Sequence, residues 1–136
     1  ERAGKNWQDV ENVNRAMVLC TDDKEAGRNI FRRAFGPYYA TPVYNKFLAW
    51  AGYEDAAKTI SEGFAERDRA KTGGALTDGM IDEIAIIGTE DEIRERIQSD
   101  ADGGVHTSII APLAASIEDV NRTFEAFTAN NFKLDQ

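Results

Sequence analysis

Few side chains in this sequence carry chemistry, and their types and spacing limit what that chemistry is. His106 is the only histidine. An imidazole that titrates near neutrality suits proton transfer, but His106 stands at the start of the apolar run 105–111, not at its carboxyl end. Cys20 is the only cysteine and closes the apolar run 16–20. A thiol turns nucleophilic when a basic neighbour lowers its pKa. No such neighbour is identifiable, so Cys20 reads as a buried, inert thiol. Arg67 and Arg69 alternate with Glu66 and Asp68, the pattern of a solvated helix face. Gly73-Gly74 follows a helical stretch and lacks the Gly-Lys-Ser/Thr of a phosphate loop, so it reads as a hinge. No cluster of residues has metal-ligand spacing.

Several local signals position these residues. Thr89 with Glu92 is a capping box, in which hydroxyl and carboxylate each satisfy an orphan N–H. Ile93, Ile97 and Ala101 then form one apolar stripe, Glu92 and Arg96 are spaced as an i, i+4 pair, and Gly103-Gly104 ends the helix. The run 105–111 is rich in β-branched residues and stops at Pro112, which predicts a short buried strand. Residues 16–20 predict a second one. Thr21-Asp22-Asp23 caps a helix with Ala26, Ile30 and Ala34 on one side, arginines 28, 32 and 33 toward its end, and Gly36-Pro37 as its stop. Thr41-Pro42 starts a helix over 42–52 that is apolar around most of its circumference, hence buried or awaiting a partner. Residues 53–71 predict a long helix with Ala56, Ala57, Ile60 and Phe64 inward, broken at Thr72-Gly73-Gly74. Thr77-Asp78 caps a brief helix, and residues 84–88 lead into the capping box. Ser116 with Asp119 caps a last helix carrying Ile117, Val120, Phe124 and Phe127, and a polar tail over 130–136 frays. Residues 1–4 read as the end of a helix with a glycine stop.

The bounds are those of an ordinary globular domain. With 136 residues, 42% of them apolar and 29% charged, the chain can bury a real core. The net charge of −8 argues against a nucleic-acid or anionic-membrane surface. No apolar run approaches the roughly 20 residues that span a bilayer, no secretory signal is visible, and a lone cysteine fits a reducing, cytoplasmic compartment. Two strands do not make a parallel sheet with both faces covered. That, and an opening at Glu1 without an initiator Met, reads as a piece of something longer.

The ordered set 21–26, 38–52, 76–82, 87–92, 104–105 and 111–112 resembles the C-terminal part of the luciferase-like, flavin-dependent oxidoreductases. The run 42–53, Pro-Val-Tyr-Asn-Lys-Phe-Leu-Ala-Trp-Ala-Gly-Tyr, resembles members that use the deazaflavin coenzyme F-420. The resemblance implies an α/β fold: residues 1–136 as a single partial domain, mostly helical, holding the last two strands of a (β/α)₈ TIM barrel. Residues 16–20 would be strand seven and 105–111 strand eight, with a helical insertion over 36–75. Such a barrel takes ~250 residues, so the piece alone is expected to be inactive.

Chemistry in such barrels sits at the carboxyl ends of the strands, which places His106 at the wrong end. Pro112 and Leu113 are there, able to floor a flat cofactor ring or merely to turn the chain. Tyr38, Tyr39 and Tyr44 are candidates for a substrate pocket, since a phenol joins an apolar body to one polar tip, or for packing. Arg67 or Arg69 could reach an anionic cofactor tail. The resemblance implies hydride transfer between reduced F-420 and a small organic substrate, in a homo-oligomer when full length. The alternatives are an FMN-dependent monooxygenase and a non-catalytic α/β interaction module whose apolar helix over 43–51 binds a partner.

Overall fold

The computed structural model describes residues 4, 6 and 9–134. Apart from Gly4, the helix end expected over 1–4 lies outside them, as do Asp135 and Gln136 of the tail. Among the described residues no helix is long and apolar enough to cross a membrane. The chain folds as two units, Glu1–Asp22 with Ala85–Gln136, and Asp23–Ile84.

The first unit is a three-stranded parallel sheet with two helices. Its strands are β1 (Val13–Cys20), β2 (Ala85–Gly88) and β3 (Thr107–Pro112), in the order β2-β1-β3. The two expected strands are therefore three, because 85–88, expected only to lead into the capping box, pairs with Met17 through Cys20. β3 pairs along β1 from Val13 to Val18, with Pro112 inside the strand as the partner of Val18. Proline is harmless there because β3 is an edge strand. Ile109 is 50% exposed on that edge, so β3 is not buried on both faces as expected.

Side chains alternate across a strand. On one face Ala16, Val18 and Cys20 pack with Ile93, Ile97 and Ala126, flanked by Ile86, Ile110, Phe127 and Phe132. Two helices supply this cover. The first, α6 (Glu90–Asp102), opens with the Thr89/Glu92 capping box. The second, α7 (Ile117–Ala126), opens with the Ser116/Asp119 box. Glu92 accepts the Thr89 N–H at 2.9 Å, while Arg96 extends to Asp100 at 3.3 Å. On α7 the buried positions are Thr123 and Ala126, whereas Ile117 and Phe124, expected on one apolar face, are 68% and 49% exposed. The chain after α7 turns back through Asn131, whose amide donates to the Glu125 carbonyl, and Phe132 meets Phe127 edge-on at 5.5 Å. That ring is why the segment does not fray at 132.

The second unit is helical: α1 (Lys24–Tyr39), α2 (Pro42–Trp50), α3 (Glu54–Ala65), α4 (Arg69–Gly74) and α5 (Asp78–Ile84). Asp23 caps α1 by accepting the Ala26 N–H at 2.9 Å. Gly36-Pro37 does not stop α1, which runs on through Pro37 to Tyr39. Stacked Phe31 and Phe35, with Tyr39 beyond them, favour continuation over the lost proline bond. The buried stripe is accordingly Gly27, Phe31 and Tyr39, with Ala26 and Ala34 exposed. Arg28, Arg32 and Arg33 end up mid-helix, where Arg28 and Arg32 pair with Asp82 and Asp78 of α5.

The long helix expected over 53–71 is two. Residue 67 breaks it: Arg67 has φ 58° and is the only non-glycine with positive φ among the described residues. Its N–H donates to the Phe64 carbonyl at 3.1 Å and the Asp68 N–H to the Gly63 carbonyl at 2.8 Å, the hydrogen bonds of a Schellman motif. Phe64 consequently lies 53% exposed instead of inward. Thr72, Gly73 and Gly74, expected as a break and hinge, belong to α4, and Thr72 is buried.

Candidate functional site

Because all three strands run parallel, Cys20, Gly88 and Pro112 end on one edge of the sheet. That edge is where ligands bind in open α/β sheets and in barrels alike. It is closed by backbone hydrogen bonds: the Thr21 N–H donates to the Gly88 carbonyl at 2.7 Å and the Leu113 N–H to the Val18 carbonyl at 2.8 Å. Leu113 is buried and Pro112 half-buried. Asp22 and Arg122 form an ion pair at 3.0 Å. A Cβ at Gly88 would stand 2.5 Å from Oε2 of Glu92, so a side chain there would displace the carboxylate that caps α6. The glycine thus serves the capping box of α6.

Cys20 lies in the same row but is 1% exposed. Its N–H donates to Oγ1 of buried Thr123 at 3.0 Å. Burial pushes its thiol above the ordinary 9.0, outweighing the opposite pull of Arg122. A protonated, enclosed thiol is no nucleophile. His106 sits at the opposite end of β3, where its Nδ1 accepts the Asn12 N–H at 3.0 Å and its own N–H donates to the Asn12 carbonyl at 2.9 Å. It fastens the start of the sheet. Among the described residues no group of three or more His, Cys, Asp or Glu stands together as a metal site.

The three tyrosines belong to the helical unit, where the fold brings them together. Tyr38 and Tyr44 have ring centroids 3.9 Å apart, and Tyr39 meets Tyr38 edge-on at 5.8 Å. Tyr38 and Tyr44 are 40% and 39% exposed, while Tyr39 is buried. Burial, then the neighbouring Tyr44, raises the Tyr39 phenol above its usual 10.0. Tyr38 and Tyr44 therefore present the open side of this aromatic cluster.

The chain's similarity to known proteins bears on these surfaces. The family model of luciferase-like monooxygenases matches residues 1–107. The chain belongs to that family. No curated protein and no solved structure matches it. The luciferase-like match takes in the tyrosine cluster and the ends of β1 and β2, and stops at the first residue of β3, before Pro112 and Leu113.

The helical unit of this luciferase-like chain also holds two clefts of more than 500 Å³ among the described residues. One of about 530 Å³ is lined by Tyr53, Glu54, Asp55 and Met80, beside which the Tyr53 hydroxyl donates to Glu83. The other, of about 910 Å³, is lined by Arg32, Arg33, Arg67 and Arg69 with Phe64 and Pro37. Sequence alone pointed to Arg67 and Arg69 but not to Arg33, which lies more than 30 positions away and joins them only through folding.

Proposed function

We propose that the chain is the C-terminal part of a (β/α)₈ barrel oxidoreductase that transfers hydride between reduced coenzyme F-420 and a small organic substrate. Membership of the luciferase-like family is the observation that carries this reading. The sheet supports it. Its strands are parallel, α6 and α7 cover one face, and Met17, Leu19, Ala85, Ile87, Ile109 and Ala111 alternate onto the other, as an inward barrel face requires. Strands seven and eight are neighbours in such a barrel, and β1 pairs with β3 from Val13 to Val18. β2 lies on the other edge of β1, where strand six would stand, so the reading predicts that β2 leaves that edge in the assembled protein.

When bound, the reduced deazaflavin supplies the hydride, and the protein's task is placement and exclusion of water. Half-buried Pro112 and the adjacent, buried Leu113 fit one apolar wall of a flat ring. The exposed rings of Tyr38 and Tyr44 supply an apolar surface with polar tips for a substrate. Helices over 36–75 form the barrel's insertion, and the full-length protein is a cytoplasmic homo-oligomer. The family's description as monooxygenases favours a second reading, in which reduced FMN activates oxygen at the same edge.

The deciding experiment presents reduced F-420 and reduced FMN, each with a panel of small acceptors, to the full-length protein. Turnover of F-420 without oxygen supports the deazaflavin reading. Oxygen uptake with reduced FMN alone replaces it by the second. A monodisperse, well-folded 136-residue chain with neither activity at full length leaves the interaction module built on exposed Val43 and Trp50.

A further inference from the structure

We infer that the helical unit carries a binding site for a small polyanion, bearing phosphate or carboxylate groups, in the cleft bounded by α1, α3 and α4. The residues that line it lie between Asn29 and Gly74, none of them on the sheet edge, so the inference does not rest on the cofactor reading above, although an anionic cofactor tail is one ligand of the same chemistry.

The chain is strongly acidic, with 24 acidic against 16 basic side chains, yet four arginines line this one cleft and Asp68 is the acid among its lining residues. The Asp68 carboxylate is already engaged, accepting the Lys71 N–H at 2.9 Å as the cap of α4. Arg32 is neutralised by Glu25 and Asp78 and donates to the Leu76 carbonyl at 3.0 Å. Arg33, Arg67 and Arg69 are different. Among the described residues none of their side chains has a hydrogen bond or an ion pair. Three guanidinium groups thus offer planar, paired donors suited to carboxylate or phosphate. Phe64 and Pro37 form an apolar wall beside them, which strengthens a charge-assisted bond by keeping water away.

The backbone points the same way. Three helices end in the same Schellman motif. At the left-handed position α2 has Gly52 (φ 95°), α6 has Gly104 (φ 101°), and α3 has Arg67. Glycine takes that conformation without steric cost and arginine does not. The sequence places a long cation at the one such turn that opens into the cleft. A second cleft of about 270 Å³, lined by Arg32, Arg33 and Arg69 with Asn29, adjoins the same side chains, so there is space for more than one anionic group.

The test is calorimetric titration of the 136-residue chain at low salt with inorganic tripolyphosphate and, separately, with citrate. The inference expects one saturable site for at least one probe, weakened by added salt. Saturation by tripolyphosphate alone assigns phosphate, by citrate alone carboxylate, and by both the shared chemistry. Arg33→Ala with Arg69→Ala should weaken binding at least about tenfold, and Arg67→Gly should weaken it while leaving the fold at least as heat-stable. Lys58→Ala, a cation of α3 outside the cleft lining, should change nothing. No saturable binding of either probe, or equal weakening by Lys58→Ala, overturns the site.

Discussion

Gly63 of α3 and Thr72 of α4 approach so closely that a Cβ on Gly63 would stand 2.8 Å from both the backbone N and Oγ1 of Thr72. This contact folds α4 back along α3 and so sets the arginine cleft. Gly63→Ala pits a gain of about 1 kcal/mol in helix propensity against an overpacking cost of about 1–3 kcal/mol. The neighbour is backbone of a buried residue and cannot yield, so the cost wins. Urea unfolding should show a less stable protein, and a more stable Gly63→Ala variant would mean that α4 is free to move.

Arg67→Gly should act in the opposite direction. An L-residue in the left-handed region is disfavoured by about 1–2 kcal/mol, and glycine releases that strain while adding freedom to the unfolded chain. A net gain of about 0.5–1 kcal/mol is expected, read as a higher Tm. A lower Tm would show that the Arg67 side chain contributes more to the fold than its conformation costs.

What was legible in the sequence was local. Thr89 with Glu92, Ser116 with Asp119, and Asp23 each complete a cap within four residues, and nothing distant can alter that chemistry. Choices between faces were not legible. Ala26–Ile30–Ala34 and Phe31–Phe35–Tyr39 are both i, i+4 stripes on α1, and the larger aromatic area wins the interior. The same contest carried the helix through Gly36-Pro37. β2 has four residues, too few to separate a strand from a helix end by periodicity. Of the candidate sites, the tyrosine cluster was legible because its members are close in sequence. The arginine cleft was not, because Arg33 and Arg67 meet only after α1, α3 and α4 have packed.

Thr123 is fully buried, and its Oγ1 accepts the Cys20 N–H. Thr123→Val keeps the shape and removes the acceptor, leaving a buried donor unsatisfied. Such a loss costs about 1–3 kcal/mol. Chemical denaturation should show it, and hydrogen exchange at the Cys20 amide should accelerate. An unchanged exchange rate would mean that this amide does not depend on Thr123.

Cys20 gives the protein a pH dependence whose sign follows from its burial. The folded thiol titrates above its ordinary 9.0 because ionising it would place a thiolate in the core. The folded state therefore holds this proton more tightly than the unfolded one. The resulting stabilisation is fully present below about pH 9 and is lost as pH rises through the folded value. Cys20→Ala removes this titration along with some packing. The wild-type advantage over Cys20→Ala should be constant from about pH 6 to 8 and shrink above about pH 9 in denaturation measured at each pH. Tyr39 and Lys71, also raised, are present in both proteins and cancel in the difference. Parallel profiles in that alkaline range would mean that the thiol ionises in place without opening the sheet. Cys20 would then react with iodoacetamide in the folded protein, whereas the buried geometry predicts alkylation only on unfolding.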